Sequence, residues 1–199
     1  MFNRQFPIAP VQHYSVGGGL FAGEYPGAYD DDEAAVTRIG QLTRQGITTF
    51  IDLTTAEDAA RGLSAYDHLL EDAKTTDGKD LHHHRFAIPD MGAPDGPEIM
   101  RGVLDLIQSE VDAGRKVYVH CWGGIGRTGT AVACWLVENG ATPDEALAQV
   151  QALYDANMSP EKRARYPHSP QAASQVAYVR DWERFRRQNQ ATTPPQTAE

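Results

Sequence analysis

The sequence predicts a single α/β domain: a mixed, mostly parallel sheet of four or five strands with helices on both faces. Two short runs, residues 47–53 and 117–119, are rich in the β-branched and aromatic side chains that favour buried strands. Stretches with helical spacing separate such runs, and the longest is residues 97–114. Strands that alternate with helices favour a parallel sheet, whose ligand sites lie at the carboxyl edge of the strands.

Composition narrows the function classes. The chain has 199 residues, of which 41% are hydrophobic and 23% charged, as is typical of one soluble globular domain. A net charge of −9 argues against a role on nucleic-acid or anionic membrane surfaces. Neither a signal peptide nor a run long enough for a transmembrane helix is evident. The two cysteines, Cys121 and Cys134, argue against a disulfide scaffold and suit a reducing cytosol, so we expect a cytoplasmic protein.

The first 28 residues are rich in glycine, proline and aromatic residues. They predict a turn at residues 17–19 and a strand at residues 20–23. The acidic residues 30–33 precede an apolar stripe, and acidic residues at a helix start offset the helix dipole. We therefore predict a helix from this cluster to Gly46, with a metal or paired-carboxylate site as the alternative for the cluster.

The middle of the chain contains weaker signals. Residues 54–62 predict a loop or short helix, and residues 64–73 a helix. Three adjacent histidines, residues 82–84, lead into the apolar residues before Pro89. Successive side chains of a strand face opposite sides, so three adjacent histidines cannot all bind one metal. We predict a strand with mixed faces there and no metal site.

Residues 88–95, IPDMGAPD, predict a loop because chain-breaking residues crowd them. The loop carries two carboxylates, Asp90 and Asp95. Asp95 is of the N-cap type and precedes Pro97, which suits the start of the helix that follows. Ordinary turn chemistry also accounts for both aspartates.

Residues 116–130, KVYVHCWGGIGRTGT, predict a strand, a glycine-rich turn and the start of a helix. A loop of this kind directs backbone N–H groups into one concave space, where the helix dipole also favours an anion such as phosphate. Cys121 stands at the strand end facing these donors, so we expect it to react as a thiolate. Arg127 can present two parallel N–H donors to a phosphate. Together these features predict covalent phosphoryl transfer.

Two other phosphate-binding interpretations of this loop fail. Gly124, Gly126 and Gly129 match the dinucleotide fingerprint G-x-G-x-x-G, which requires a second strand after the helix. Residues 141–156 predict a second helix instead. The phosphate loop of nucleoside triphosphatases is also excluded, because no Gly-Lys-Ser/Thr occurs in the chain.

The carboxyl-terminal third is predicted to be mostly helical. Residues 142–145 match a capping box with proline at the first helical position. Residues 158–169 predict a polar loop, and Pro170 opens a last helix whose apolar stripe is typical of core packing. We expect the folded domain to span residues 1–187 and residues 188–199 to form a disordered tail.

The glycine-rich loop resembles a known family signature. HCWGGIGRT is similar to the H-C-x5-R-[ST] signature of the cysteine-dependent protein phosphatases. The loop at 88–95 resembles the W-P-D-x-G-x-P general-acid loop of that family, with Ile88 in place of tryptophan. Asp90 lies 31 positions before Cys121, which resembles the spacing of the compact dual-specificity and tyrosine phosphatase branch. Residues 20–27 are loosely similar to the first-strand pattern L-x-A-G-x-Y-P-G of some compact phosphatases.

The resemblance implies a phosphomonoester hydrolase, either a protein-tyrosine or a dual-specificity phosphatase, that acts through a phosphocysteine intermediate. It implies that Cys121 is the nucleophile and Asp90 the general acid. It also implies that Thr128 donates a hydrogen bond to the sulfur and that His120 orders the loop. The implied phosphate-binding residues are Trp122, Gly123, Gly124, Ile125, Gly126 and Arg127.

Residues 169–175, SPQAASQ, resemble the Q-x-x-x-Q segment that positions the hydrolytic water in many tyrosine phosphatases. Gln171 is therefore the candidate for that role, although Ala172 stands where the family has threonine. The resemblance implies that no metal or organic cofactor is needed. We expect a monomer that acts on a phosphorylated protein or a small phosphomonoester, with no nucleic-acid or membrane partner.

Two alternatives remain open at the level of sequence: a phosphatase of inositol phosphates or lipids, and a phosphopeptide-binding pseudophosphatase. The five residues between Cys121 and Arg127 carry no charge, and the acidic chain repels polyanions. This favours phosphotyrosine-type monoesters. Basic residues at 82–85, 163 and 165 would have to reach the pocket for a polyanionic substrate to be preferred.

Overall fold

The structure, a computed structural model, describes residues 8–71 and 78–192. Those residues form one five-stranded sheet with helices around it. No helix in these two segments is long and apolar enough to cross a bilayer. The elements in chain order are β1 (His13–Gly17), β2 (Leu20–Gly23), α1 (Asp32–Thr43), β3 (Ile47–Asp52), α2 (Ala56–Ala60), α3 (His68–Glu71), β4 (His82–Arg85), α4 (Glu98–Asp112), β5 (Lys116–His120), α5 (Gly126–Glu138), α6 (Pro143–Asn157), α7 (Pro160–Arg165) and α8 (Ala173–Thr192).

The sheet has the strand order β1-β2-β5-β3-β4. Only β1 runs antiparallel to its neighbour, so the predicted mixed, mostly parallel sheet is confirmed. In the register of the central strand β5, His120 pairs with Gly23 of β2 and with Asp52 of β3. The carboxyl ends of these three strands therefore lie side by side, and the loops that leave them converge.

Helices cover both faces of the sheet. Val117 and Val119 of β5 belong to a core cluster that includes residues of α4, α5, α6 and α8. Tyr118, which points to the other face, packs in a cluster with Leu42 of α1 and Leu70 of α3. Burying each such aliphatic side chain contributes about 1.5–3 kcal/mol. Because its side chains alternate between the two faces, the short strand β5 contributes to both hydrophobic cores.

Helix α5 is buried along almost its whole length, because α4, α6 and α8 all contact it. A helix that is apolar all round belongs in a protein core. Its amino terminus follows the glycine-rich turn directly, so the turn is anchored between a central strand and a central helix. Rigid elements on both sides fix the position of the loop.

Two predicted helix starts are confirmed by their caps. Asp31 accepts a 2.9 Å hydrogen bond from the backbone N–H of Ala34 at the start of α1, so part of the acidic cluster at 30–33 serves as a cap. Thr142 and Glu145 form the predicted capping box of α6, with proline in its first turn. Each such cap contributes about 1 kcal/mol.

Other elements differ from the sequence-based expectation. Strand β1 was not predicted, and α7 lies inside the segment 158–169 that predicted a loop. Helix α3 is shorter than the predicted 64–73, since residues 64–67 precede it. Residues 72 and 73 lie outside the described residues.

The helix boundaries near both candidate loops also need correction. Helix α4 begins at Glu98 with Pro97 as its N-cap and no side-chain cap, so the N-cap role predicted for Asp95 is wrong. Helix α8 extends to Thr192, so residues 188–192 are helical and not part of a disordered tail. Residues 193–199 lie outside the described residues, and a domain boundary at 187 stays a prediction.

Candidate active site

The glycine-rich loop, residues 121–125, is held in place by the end of β2. Gly124 has a φ of +69°, and a Cβ there would lie 2.3 Å from the carbonyl carbon of Gly23. Only glycine permits both this conformation and this close approach. The backbone N–H of Tyr25 donates a 2.9 Å hydrogen bond to the carbonyl oxygen of Trp122. The segment loosely resembling a phosphatase first strand thus contacts the loop directly.

Cys121 lies at the bottom of a pocket at the carboxyl edge of the sheet. The hydroxyl of Thr128, in the first turn of α5, donates a 3.1 Å hydrogen bond to its Sγ. This hydrogen bond ties the sulfur to the first turn of α5. The pocket is lined by Asp90, Met91, Cys121, Gly123, Ile125, Gly126, Arg127, Gln171 and Gln175.

His120 is fully buried directly before the cysteine. Its Nδ1 lies 3.3 Å from the carbonyl oxygen of Cys121, and its Nε2 lies 2.6 Å from Tyr66 Oη. A carbonyl only accepts, so Nδ1 carries the proton and the Tyr66 hydroxyl donates to Nε2. Burial lowers the pKa of His120 to about 4, so the ring is neutral at neutral pH. The neutral imidazole fixes the peptide group of Cys121.

Arg127 is buried, and acceptors on Asp58 and Ile88 fix the orientation of its guanidinium. Its Nη1 donates to Asp58 Oδ2 at 2.6 Å and to the Ile88 carbonyl oxygen at 3.0 Å, and its Nη2 lies 3.4 Å from Asp58 Oδ1. Burial alone would lower the pKa of Arg127, but the hydrogen bond to Asp58 and nearby negative charges outweigh it and raise the pKa. The guanidinium is therefore a permanent cation with a set orientation.

Asp58 was not identified from the sequence. Thr55 Oγ1 accepts from the backbone N–H of Asp58 at 3.3 Å, and Asp58 Oδ2 accepts from the backbone N–H of Thr55 at 2.9 Å. This capping box opens α2 and fixes the carboxylate against Arg127. Burial tends to raise the pKa of Asp58, but the hydrogen bond from Arg127 outweighs it and lowers the pKa. The T-x-x-D pattern could have indicated the helix start, but not its partner.

Of the two candidate aspartates, only Asp90 reaches the pocket. Its Oδ1 accepts from Arg127 Nη2 at 2.9 Å, and its Oδ2 lies 3.6 Å from a nitrogen of Arg61. Asp95 is exposed and is not among the residues that line the pocket. Asp90 therefore lies beside the cysteine loop, and its role as the general acid stays a prediction.

The glutamine segment also reaches the pocket, through both of its glutamines. Gln171 lines the pocket, and its role in positioning the water stays a prediction. Gln175 is fully buried: its Nε2 donates to the Gly92 carbonyl oxygen at 3.0 Å, and its Oε1 accepts from the backbone N–H of Gln171 at 3.1 Å and of Ala172 at 2.9 Å. Sequence reasoning missed Gln175, although it is the second glutamine of the same Q-x-x-x-Q pattern.

The three histidines of β4 lie at the edge of the sheet, away from the pocket. His82 and His84 are exposed, while the partly buried His83 has its Nε2 3.5 Å from Asp52 Oδ2. This is the predicted strand with mixed faces. Within residues 8–71 and 78–192, no group of three histidine, cysteine or acidic side chains is arranged to hold a metal ion.

A buried cysteine, a permanent guanidinium and a carboxylate meet at one glycine-rich loop between the central strand and the central helix. The fold and this site define the class of cysteine-dependent phosphatases.

Comparison with known proteins narrows the class. Residues 28–179 match the family described as "Swiss Army Knife protein, DSP-PTPase phosphatase domain", so the chain belongs to that family. This confirms the dual-specificity and tyrosine phosphatase resemblance of the sequence.

Individual relatives agree with this membership. Mouse (Mus musculus) protein tyrosine phosphatase domain-containing protein 1 is 30% identical over 155 residues, covering 74% of this chain and 18% of the relative. Pig (Sus scrofa) cyclin-dependent kinase inhibitor 3 is 32% identical over 74 residues, covering 36% and 34%. The chain thus spans well under half the length of these curated relatives.

The fold is shared with solved phosphatase structures. Kinase associated phosphatase, crystallised with serine in place of its catalytic-site cysteine, superposes with a TM-score of 0.70 at 18% identity. That match covers 96% of this chain and 100% of the other. The predicted fold class is therefore confirmed.

Proposed function

We propose that the protein hydrolyses phosphomonoesters through a phosphocysteine intermediate, as a protein-tyrosine or dual-specificity phosphatase. The observation that carries this proposal is the convergence of three groups on one pocket. Cys121 Sγ accepts from Thr128, while Arg127 and Asp90 are joined by a 2.9 Å contact beside it. A nucleophile, an anion clamp and a proton donor are the groups that this chemistry requires.

Binding of the phosphate rearranges the contacts of Arg127. Its Nη1 is occupied by Asp58 and Ile88, whereas its Nε makes no hydrogen bond to any described residue. Two phosphate oxygens would therefore take Nε and Nη2, the parallel pair that gives bidentate recognition. The oxygen on Nη2 displaces Asp90, and the freed carboxyl group turns towards the leaving oxygen.

In the first step, the Cys121 thiolate attacks phosphorus and the bond from phosphorus to the leaving oxygen breaks. Asp90, protonated, transfers its proton to that oxygen. Backbone N–H groups of residues 122–127 and the guanidinium of Arg127 stabilise the charge on the three equatorial oxygens. The phosphoryl group is then bonded to sulfur.

In the second step, a water molecule attacks phosphorus and the bond from sulfur to phosphorus breaks. Asp90, now a carboxylate, takes the proton from the water. The hydroxyl of Thr128 stabilises the departing thiolate, in keeping with its 3.1 Å contact. Gln171 is proposed to position the water, and no metal or organic cofactor enters either step.

A phosphorylated tyrosine side chain is the proposed substrate, with phosphoserine and phosphothreonine slower. The loop between Cys121 and Arg127 is uncharged, and the basic residues at 82–85, 163 and 165 are absent from the pocket lining. A singly phosphorylated side chain needs only Arg127 and the backbone donors. A polyanionic inositol head group would need additional cations.

Hydrolysis of p-nitrophenyl phosphate tests the reaction and separates an enzyme from a phosphopeptide-binding relative. Phosphate release that vanishes in Cys121→Ser is expected. A side-by-side kcat/KM measurement on a phosphotyrosine peptide and a soluble phosphoinositide then tests the substrate class. A roughly tenfold advantage for the phosphoinositide, worth about 1.4 kcal/mol, would overturn the preference.

Further aspects of the protein are proposed with this function. A reducing compartment such as the cytosol suits an enzyme whose nucleophile is a thiol. The net charge of −9 supports a protein that does not bind nucleic acid. We also propose a monomer with a domain that ends near residue 187, which sedimentation and limited proteolysis would test.

A further inference from the structure

We propose that a groove beside the catalytic pocket binds the polypeptide chain next to the phosphorylated residue, and that Arg61 pairs there with an acidic side chain of the substrate. The inference rests on the proposed phosphatase function and adds the substrate sequence that it selects. The groove is called the aromatic groove here. Its residues include Tyr29, Arg61, Gly62, Leu63 and Trp122.

Trp122, the residue that follows Cys121, lines both the aromatic groove and a cleft that shares Asp90 and Gly123 with the catalytic pocket. Trp122 is 37% exposed and Tyr29 is 72% exposed, so two large apolar side chains face solvent beside the site. Tyr29 lies over Gly62, where a Cβ would be 2.7 Å from its ring. Exposed apolar surface next to a catalytic pocket marks a site of interaction. Aromatic walls of this kind suit the extended chain of a peptide.

Among the charged side chains of the groove, Arg61 is the cation whose hydrogen-bond donors remain available to a substrate. Glu24 accepts from Arg38 at 3.2 Å and from Lys162 at 2.9 Å, so these three side chains satisfy one another. The side chain of Arg61 is 61% exposed, and among the described residues its ion-pair partner is Asp90, at 3.6 Å. Arg61 is thus the cation of the groove with unused donors, in a chain whose net charge is −9.

Arg61 links recognition to catalysis because it shares Asp90 with Arg127. When phosphate binds to Arg127 Nη2, it replaces Asp90 Oδ1 as the partner of that nitrogen. When a substrate carboxylate pairs with Arg61, it replaces Asp90 Oδ2 in the same way. A substrate that carries both groups releases Asp90 from both cations. The acid then becomes free to reach the leaving oxygen.

A polypeptide with an acidic residue fits this surface better than a polyanion does. One open guanidinium complements one carboxylate, and the walls formed by Tyr29, Leu63 and Trp122 complement apolar peptide groups. An inositol polyphosphate presents several phosphates and no apolar surface. The complementarity of charge and polarity therefore assigns the groove to peptide.

The test compares two phosphotyrosine peptides that differ only in glutamate or glutamine at the positions flanking the phosphotyrosine. The wild-type protein should have a kcat/KM about fivefold higher for the glutamate peptide, the value of one partly exposed ion pair. In Arg61→Gln this ratio should fall to about one. In Arg61→Gln the contact between Arg61 and Asp90 is absent with either peptide, so this change acts on both peptides alike and leaves the ratio of the variant at about one.

Two further variants complete the design. Arg44→Gln removes the same charge from an exposed arginine at the end of α1, at the opposite edge of the sheet, and should keep the wild-type ratio. Arg61→Glu should prefer a lysine-flanked peptide. A wild-type ratio of one overturns the proposal, as does an unchanged ratio in Arg61→Gln or a larger loss on a soluble phosphoinositide than on the glutamate peptide. Failure of the wild type to hydrolyse p-nitrophenyl phosphate would instead refute the phosphatase function.

Discussion

Replacement of Asp58 by alanine should both destabilise the protein and impair catalysis. The side chains of Asp58 and Arg127 are each only 1% exposed, and their closest contact is 2.6 Å. Removing one partner of a buried ion pair leaves an uncompensated charge and costs about 3–5 kcal/mol. We therefore expect the free energy of unfolding, measured with urea, to fall by about that amount.

The same substitution should reduce kcat/KM because Arg127 loses the contact that orients it. The Ile88 carbonyl oxygen still holds Nη1, so the guanidinium stays near the pocket but can rotate. A misplacement of about 1 Å at a positioning group costs roughly 10²-fold. Inhibition by inorganic phosphate should weaken as well, so its inhibition constant should rise, because Arg127 binds phosphate directly.

Thr55→Ala is the matched control. It removes the hydroxyl that caps α2, together with its 3.3 Å bond to Asp58 Oδ2, but keeps the backbone N–H of Thr55 and the pair between Asp58 and Arg127. Loss of the cap alone should cost about 1 kcal/mol, with kcat/KM close to that of the wild type. The reasoning is refuted if Asp58→Ala destabilises no more than Thr55→Ala and retains wild-type kcat/KM.

The pH dependence of this destabilisation has a defined sign. The pKa of Asp58 is lowered in the folded protein, so its stabilising contribution is complete above the ordinary aspartate value near 3.9. That contribution is lost as the pH falls further and the carboxylate is protonated. The difference in unfolding free energy between the wild type and Asp58→Ala should therefore be smaller at about pH 3 than at about pH 7.

Three other predictions address the acid, its loop and the buried histidine. Asp90→Asn should lower kcat by roughly 10²–10⁴-fold for a phenyl phosphate, and by less for a leaving group that needs no proton. The same change at the exposed Asp95 should alter kcat little. A larger effect at Asp95 would show that the loop was misaligned. Gln175→Ala removes the tie to Gly92, so kcat should fall more for poor leaving groups than for good ones, while equal losses would point to a purely structural role. The pKa of His120 is lowered to about 4, so wild-type stability should drop by up to about 1.4 kcal/mol per pH unit from about pH 6.5 to about 4. His120→Asn should flatten that slope in urea titrations, and an unchanged slope would contradict the assignment.

The cysteine loop was predictable because its parts are close in the sequence. Strand β5, the glycines and the first turn of α5 are consecutive, so local patterns specify the anion site. The cap residues Asp31 and Thr142 were predictable for the same reason. Sequence alone also ranked Asp90 above Asp95, but through the resemblance and not through geometry.

Asp58 and Gln175 depend on tertiary structure. Asp58 is 69 positions from Arg127, and its neighbours indicate only a helix start. Gln175 contacts the acid loop across 83 positions. Neither contact leaves a periodic or compositional signal, because each joins segments that are distant in the sequence and meet only in the folded chain.

The missed elements carry weak patterns. Strand β1 has five residues and ends in glycine, which is too short for a clear alternation. Helix α7, PEKRAR, has no apolar stripe, so the sequence shows no helical periodicity of apolar residues there. Ser159 caps it and Pro160 occupies its first turn, and that pair was the available signal.

Detection of a phosphocysteine on Cys121 tests the central claim most directly. The wild-type protein is mixed with a phosphotyrosine peptide carrying radioactive phosphate, quenched with SDS after milliseconds, and mapped by proteolysis. Label should appear on the fragment that contains Cys121 and be absent in Cys121→Ser, while Cys134, whose pKa is raised well above the ordinary value by burial, stays unlabelled. Turnover by Cys121→Ser above roughly one per cent of the wild type, or label on any other residue, would contradict the account.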